Sequence, residues 1–389
     1  MSSKKSLIAI QGPTQFIAAY ISLLWYEQSI IKERTETVLL IYDTYVPVDN
    51  ELSFKDSILK LASIREWAQI VFIDGKAMSK LSFSSYSNCV SKLRSKFYYS
   101  DFDIVFIARD YGSFGTQLIL NTYPNALHIE YGDSFGLVGN ENVLKTSIFD
   151  FFKAPKAISK AVLKKVLFRH FPLRFDFKLS ILSMPLDWKG DYLVNKNLIV
   201  PDKNFVKQVF LQLSYQIPEL NSYSDELTES QNCNLYLLSN FSNSGFSTQE
   251  DELNLYYEIV IATASKDKII ILKNHPRGSD DILKLLYKKL NENYKVKIID
   301  NKRLSFYPIE LWSSLIEKCY VFPIFSSSVI SLKYLFSKKV VMPLDNLKIR
   351  KYIYSDKINE TIQSEAMCRE AIASLNEWDG KSPLWVKKT

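Results

Sequence analysis

The 389-residue chain has no run of 18 or more apolar residues, so no transmembrane helix is expected. Its N-terminus, MSSKKSLIAIQGP, goes from two lysines straight into a short apolar strand, and no signal peptide is expected either. There are only four cysteines, Cys89, Cys233, Cys319 and Cys368, widely separated and without CxxC or Cys/His spacing. A zinc site is therefore not expected, and reduced thiols of a cytoplasmic protein are. No glycine-rich phosphate loop is present: the turn Gln11-Gly12-Pro13-Thr14-Gln15 lacks the GxGxxG spacing, and GxxxxGK[ST] occurs nowhere. Dinucleotide oxidoreductases and P-loop NTPases drop out on that ground, although a helix N-terminus can hold a nucleotide without either signature. Histidine is scarce as well, with three in the chain. His128 and His170 sit among Leu, Ile and Phe, whereas His275 lies in a polar turn.

What is there is globular: 47% apolar and 23% charged residues, with a modest net charge of +7. The length exceeds one ordinary core and suits two. Short β-branched runs alternate with longer amphipathic segments, the pattern of a parallel sheet covered by helices. Strands are predicted over 6–11, 37–42, 69–73, 103–108 and 126–129, and helices over 15–28, 54–65, 84–97 and 115–121. A basic, aromatic and less regular stretch covers 142–196, with a helix over 205–215 and a polar linker over 221–231. The alternation then resumes with strands over 234–238, 268–272, 295–299, 320–324 and 339–342. Helices are predicted over 249–264, 280–291, 309–317, 329–336 and 364–376. The expectation is α/β: two Rossmann-like domains, 1–200 and 201–389, facing each other across a cleft, with the last helix packing back on the first.

Three strand ends could carry chemistry. After the strand 126–129 comes Glu130-Tyr131-Gly132-Asp133, two carboxylates in a glycine-containing turn where a general base could sit, or an ordinary Asp/Gly turn. The similar string Asp110-Tyr111-Gly112 one strand earlier keeps that second possibility open. After the strand 268–272 comes Lys273-Asn274-His275-Pro276-Arg277, an imidazole between cations that could hold or protonate a phosphate, or a solvated turn. After the strand 320–324 come Ser326, Ser327 and Ser328 at a helix start. One serine suffices for capping, and the others leave hydroxyls for an anion.

An acidic-X-Gly turn in the first half, then His-Pro and Ser-Ser at strand ends in the second, resembles the pattern of bacterial sialyltransferases. The capsular polysialyltransferase family is the most similar. The family's acidic motif usually has two acidic residues before its glycine, and here Tyr131 occupies the middle position. The resemblance implies a GT-B fold, CMP-sialic acid as donor, no cofactor and no metal. The only DxD string, Asp101 to Asp103, precedes a strand, which agrees with a metal-free site. It further implies an inverting displacement with Glu130 as base and Asp133 as the fallback. His275 would bind the leaving phosphate together with Lys273, Pro276, Ser326, Ser327 and Ser328, and could protonate it.

Ser239 and Asn240, in the loop 239–245, are further donor-side candidates, and Gln15 is assigned to the acceptor side. Lys156, Lys160 and Lys164 recur at helical spacing near Arg169, forming a basic face that could guide a polyanionic acceptor or rest on anionic lipid. The expected partners are a nucleotide-sugar donor and an anionic polysaccharide, with peripheral association with the inner membrane and capsule-assembly proteins, and no nucleic acid. The competing readings are a GT-B transferase using another nucleotide sugar and a non-catalytic polyanion-binding protein.

Overall fold

A computed structural model describes residues 3–44, 51–82, 84–108, 113–132, 177–184, 186–188, 198–229, 232–377 and 384–386. The first half runs β1 (Lys5–Ile10), α1 (Pro13–Trp25), β2 (Glu36–Thr44), α2 (Glu51–Ala62), β3 (Gln69–Asp74), α3 (Gly75–Ser82), α4 (Tyr86–Arg94), β4 (Ile104–Ala108), α5 (Phe114–Thr122) and β5 (Leu127–Tyr131). Three short strands follow: β6 (Leu179–Ile181), β7 (Leu186–Trp188) and β8 (Leu198–Ile199). Seven of these strands form one parallel sheet in the order β3-β2-β1-β4-β5-β6-β8. The order reverses between β1 and β4, and a doubly wound sheet opens a crevice at such a reversal.

The second half contains α6 (Lys203–Tyr215), α7 (Glu219–Thr228), β9 (Cys233–Leu237), α8 (Gln249–Thr263), β10 (Ile269–Lys273), α9 (Asp280–Asn291) and β11 (Val296–Ile298). It continues with α10 (Lys302–Ser305), α11 (Ser313–Lys318), β12 (Cys319–Pro323), α12 (Ser328–Phe336), α13 (Asn346–Tyr352), α14 (Ile358–Glu377) and β13 (Leu384–Val386). Its parallel sheet is ordered β11-β10-β9-β12, reversing between β9 and β12. β13 pairs with β7, so the chain returns to the first half.

Strand parity decides which core each side chain joins. Ile8 and Ile10 of β1, Leu235 of β9 and Ile269 and Ile271 of β10 enter one core that runs through both halves, with Trp312 fully buried in it. Leu7 and Ala9 face a second core under α4 and α5, and Ile270 and Leu272 face a third under α8 and α9. Helix starts follow local chemistry. Pro13 at the first position of α1 lacks an N–H that would go unused there. Ser113, Asp202, Thr248 and Ser279 cap α5, α6, α8 and α9 through their side chains.

Several expectations need correction. β5 runs through Glu130 and Tyr131, so these residues are strand, not turn. The supposed linker 221–231 is largely helix α7, because Leu220, Ser224 and Leu227 recur on one buried face. Residues 309–317 divide into a 3-10 turn, Ile309–Leu311, and the short α11. The strand expected over 339–342 is reduced to one bridge, Val340 to Val321.

Candidate functional site

The two sheet reversals converge on one cleft of about 760 Å³. From the first half it is lined by Gln11 to Gln15, which connect β1 to α1, by Ser113 ahead of α5, and by Phe54 of α2. The second half contributes Asn240, Lys273 to Arg277, Phe306 to Glu310 and Ser326 to Ser328. Phe54 and Phe306 meet edge to face at 5.4 Å across the junction.

Lys273, the last residue of β10, has the parity of Ile269 and Ile271, and its ammonium donates to the Ser305 carbonyl at 2.8 Å. Burial lowers its pKa to about 8, with Glu310 pulling the other way. The turn beyond it is closed by the Gly278 N–H donating to the His275 carbonyl and by the Asn274 amide donating to the Ser279 carbonyl. In this turn His275 Nδ1 accepts from the Arg277 N–H at 3.1 Å, so a neutral ring carries its proton on Nε2. Burial first, then Arg277 and Lys273, lowers the imidazole pKa to about 4. At neutral pH His275 in the free protein is therefore a hydrogen-bond donor rather than a cation.

Phe325 has φ 54, an uncommon left-handed conformation for an aromatic residue, and its ring lies 5.3 Å from Phe241 and 6.3 Å from Phe246. The turn presents the three serines to the cleft. Ser327, the N-cap of α12, makes no side-chain cap hydrogen bond, and the Ser328 N–H reaches the Ser326 hydroxyl only at 3.4 Å. The serines thus line a helix start at which the Ser328 N–H is only weakly held, while the Val329 and Ile330 N–H groups donate to the Ser326 and Ser327 carbonyls.

Glu310 went unnoticed in the sequence. It is 2% exposed and its Oε1 accepts from the Ser331 hydroxyl, whereas Oε2 makes no hydrogen bond of ordinary length among the described residues. Burial pushes its pKa up, against the Ser331 hydroxyl, Lys273 and Ser328. The available signal was a lone acid in the apolar run Tyr307-Pro308-Ile309-Glu310-Leu311-Trp312.

Gln15 lies in the cleft and bonds back to Gln11, its Oε1 accepting from the Gln11 N–H at 2.8 Å. Pro276 and Asn240 line the cleft as well, but Ser239 does not: it is buried, and its N–H donates to the Tyr256 hydroxyl at 3.1 Å. Glu130 is also absent from the lining. At 1% exposure its carboxylate accepts from Ser180 on β6, and its parity is opposite to that of Ile129 and Tyr131, which enter the shared core. Asp133, Lys156, Lys160, Lys164 and Arg169, and the basic stretch around them, lie outside the described residues. Among the described residues no three His, Cys, Asp or Glu side chains cluster as metal ligands, and no helix is long and apolar enough to cross a membrane.

The chain is similar over 97% of its length, at 14% identity and TM-score 0.50, to 95% of UDP-GlcNAc 2-epimerase from Methanocaldococcus jannaschii in complex with UDP-GlcNAc and UDP. It matches 92% of S. aureus MnaA in a co-structure with UDP over 98% of its own length, at 12% identity and TM-score 0.51. These likenesses show the GT-B fold. A sialyltransferase from Photobacterium damsela matches at TM-score 0.44 and 10% identity, with 96% of this chain and 81% of that one covered. Among curated proteins none matches by sequence. The model of the alpha-2,8-polysialyltransferase (POLYST) family matches residues 144–344, more than half of the chain. The stretch includes the Lys273–Arg277 turn, Glu310 and the three serines, and on that match the chain belongs to the alpha-2,8-polysialyltransferase family and is a sialyltransferase.

Proposed function

We propose that the protein extends polysialic acid, moving sialic acid from CMP-sialic acid to a hydroxyl of a sialylated acceptor by a single inverting displacement. The observation that carries this reading is the convergence of the Lys273–Arg277 turn, Glu310 and the start of α12 on one cleft, opposite Gln11 to Gln15. The leaving CMP bears a single phosphate. The Nε2–H of His275, the hydroxyls of Ser326, Ser327 and Ser328, and the weakly held Ser328 N–H would receive it, with Lys273 and Arg277 supplying positive charge. Such a group can depart without a divalent cation, and we propose a metal-free reaction with no cofactor. Oε2 of Glu310 needs a donor, and a hydroxyl of the bound nucleotide would supply one.

The acceptor hydroxyl would lose its proton to a carboxylate of the Glu130-Tyr131-Gly132-Asp133 string. Glu130 would first have to release Ser180, so Asp133 is retained as the second candidate. The basic stretch around Lys156, Lys160, Lys164 and Arg169 would guide the polyanionic acceptor. It also supports a place at the cytoplasmic face of the inner membrane, beside capsule-assembly proteins.

Incubation with CMP-sialic acid and a short sialylated acceptor tests the reading, with longer products as the expected result. Glu130→Gln and Asp133→Asn separate the two bases. The variant lacking the true base should lose roughly 10²–10⁴ in kcat, and near-normal elongation by both variants would exclude the string. Thermal shifts with CMP, UDP and GDP address the use of another nucleotide sugar, since a bound nucleotide raises Tm.

A further inference from the structure

Glu252 lies in the first turn of α8 and is only 2% exposed. A carboxylate taken this far from water must have its lone pairs satisfied. Here the donors come from α8 itself and from the loop after β9. Its Oε1 accepts from the Phe241 N–H at 3.1 Å and from the Tyr256 hydroxyl at 2.6 Å. Its Oε2 accepts from the Ser242 N–H at 2.8 Å and from the Ser242 hydroxyl. The Tyr256 hydroxyl in turn accepts from the Ser239 N–H at 3.1 Å, so three backbone amides, 239, 241 and 242, are tied to one side chain directly or through one hydroxyl. The positive end of α8 favours the charge.

That loop carries Asn240 and Ser244 into the cleft, and its Phe241 ring lies 5.3 Å from Phe325, the left-handed residue just before the serines. The Phe246 ring, at 6.3 Å, completes the support of Phe325. One buried carboxylate thus fixes the backbone of one cleft wall and, through a ring contact, braces the turn that forms another.

We propose that Glu252 is a positioning residue for the donor nucleotide: it holds the 239–245 loop and, through Phe241 and Phe325, the Ser326 to Ser328 turn in the geometry that receives it. The role rests on the reading of the cleft as the donor site. Glu252 is outside the cleft lining.

The test compares wild type with Glu252→Gln in hydrogen exchange, CMP affinity and steady-state kinetics. Gln puts an NH2 where an acceptor is required. Exchange of the Phe241 and Ser242 amides should rise at least about tenfold, with a smaller rise at the serine turn. The CMP Kd and the donor KM should rise about tenfold while kcat stays within roughly threefold, the pattern of lost uniform binding. Unchanged CMP affinity in a variant whose loop exchanges faster would overturn the role, as would a fall in kcat at constant KM. Should Glu252→Gln fail to fold, Tyr256→Phe and Ser242→Ala each remove one donor, and both must weaken CMP binding for the role to stand. Wild-type protein that binds no CMP would overturn the donor reading itself. Wild type and Glu252→Gln binding CMP equally would overturn only the positioning role.

Discussion

His275 illustrates how a residue's neighbours set its proton chemistry. With Nδ1 engaged by the Arg277 N–H and the pKa lowered to about 4, the free imidazole is neutral at physiological pH. An arriving phosphate adds the opposite charge and raises that pKa. A group more basic in the complex than in the free protein takes up a proton on binding, so CMP affinity should increase as pH falls through the bound-state value toward about 4. Calorimetric titrations in buffers of different ionisation enthalpy should show this uptake in wild type and not in His275→Asn. His275 was legible in the sequence because a polar turn after an apolar run left it no core to join. Glu310 was not, because its significance lies in burial and an unbonded oxygen that only tertiary packing creates. Glu130 was visible as an acid, but its strand runs two residues further than the apolar run suggested, and that extension changes the face on which the carboxylate falls.

Among the elements, the loops after β9, β10 and β12 set the geometry of the second-half wall. Gly278 is one constraint, since a Cβ there would collide with the Asn274 side chain, which braces the histidine turn. Gly278→Ala should therefore reduce the thermal shift produced by CMP more than it reduces the Tm of the free protein. Phe325 is another: Phe325→Ala keeps the left-handed backbone and loses both ring contacts, and should cost about 2 kcal/mol of stability in denaturant unfolding. β1, β2, β4, β9 and β10 were readable from apolar runs that are buried on both faces, as a covered parallel sheet requires, whereas β3 and β12 were readable although Ile70 and Tyr320 are exposed. The helix α7 was hidden by polar residues on its exposed side. The expected strand 339–342 had the composition of a strand, but composition alone does not supply pairing partners.

At the scale of the molecule, the two-sheet architecture followed from the repeated alternation, whereas the sharing of one core by both sheets did not, because which faces meet is a matter of packing rather than pattern. The shared core predicts one cooperative calorimetric transition instead of two. Its pH dependence should include a contribution from Glu365 of α14, whose burial raises the carboxyl from 4.5 to about 7 with Arg369 opposing. The native state then holds a proton that the unfolded chain releases, so this contribution is present below 4.5 and is lost as pH rises to about 7. Glu365→Gln should raise Tm at alkaline pH by about 2 °C or more and leave it nearly unchanged at acid pH. The pairing of β13 with β7 has a kinematic consequence. Two bodies joined at one point can reorient about three axes, but a second attachment leaves only the line through both. Here the halves also share one core, so even a swing about the line through the exit from β8 and the β13–β7 pairing would have to shear packed side chains, and the cleft cannot widen without repacking them.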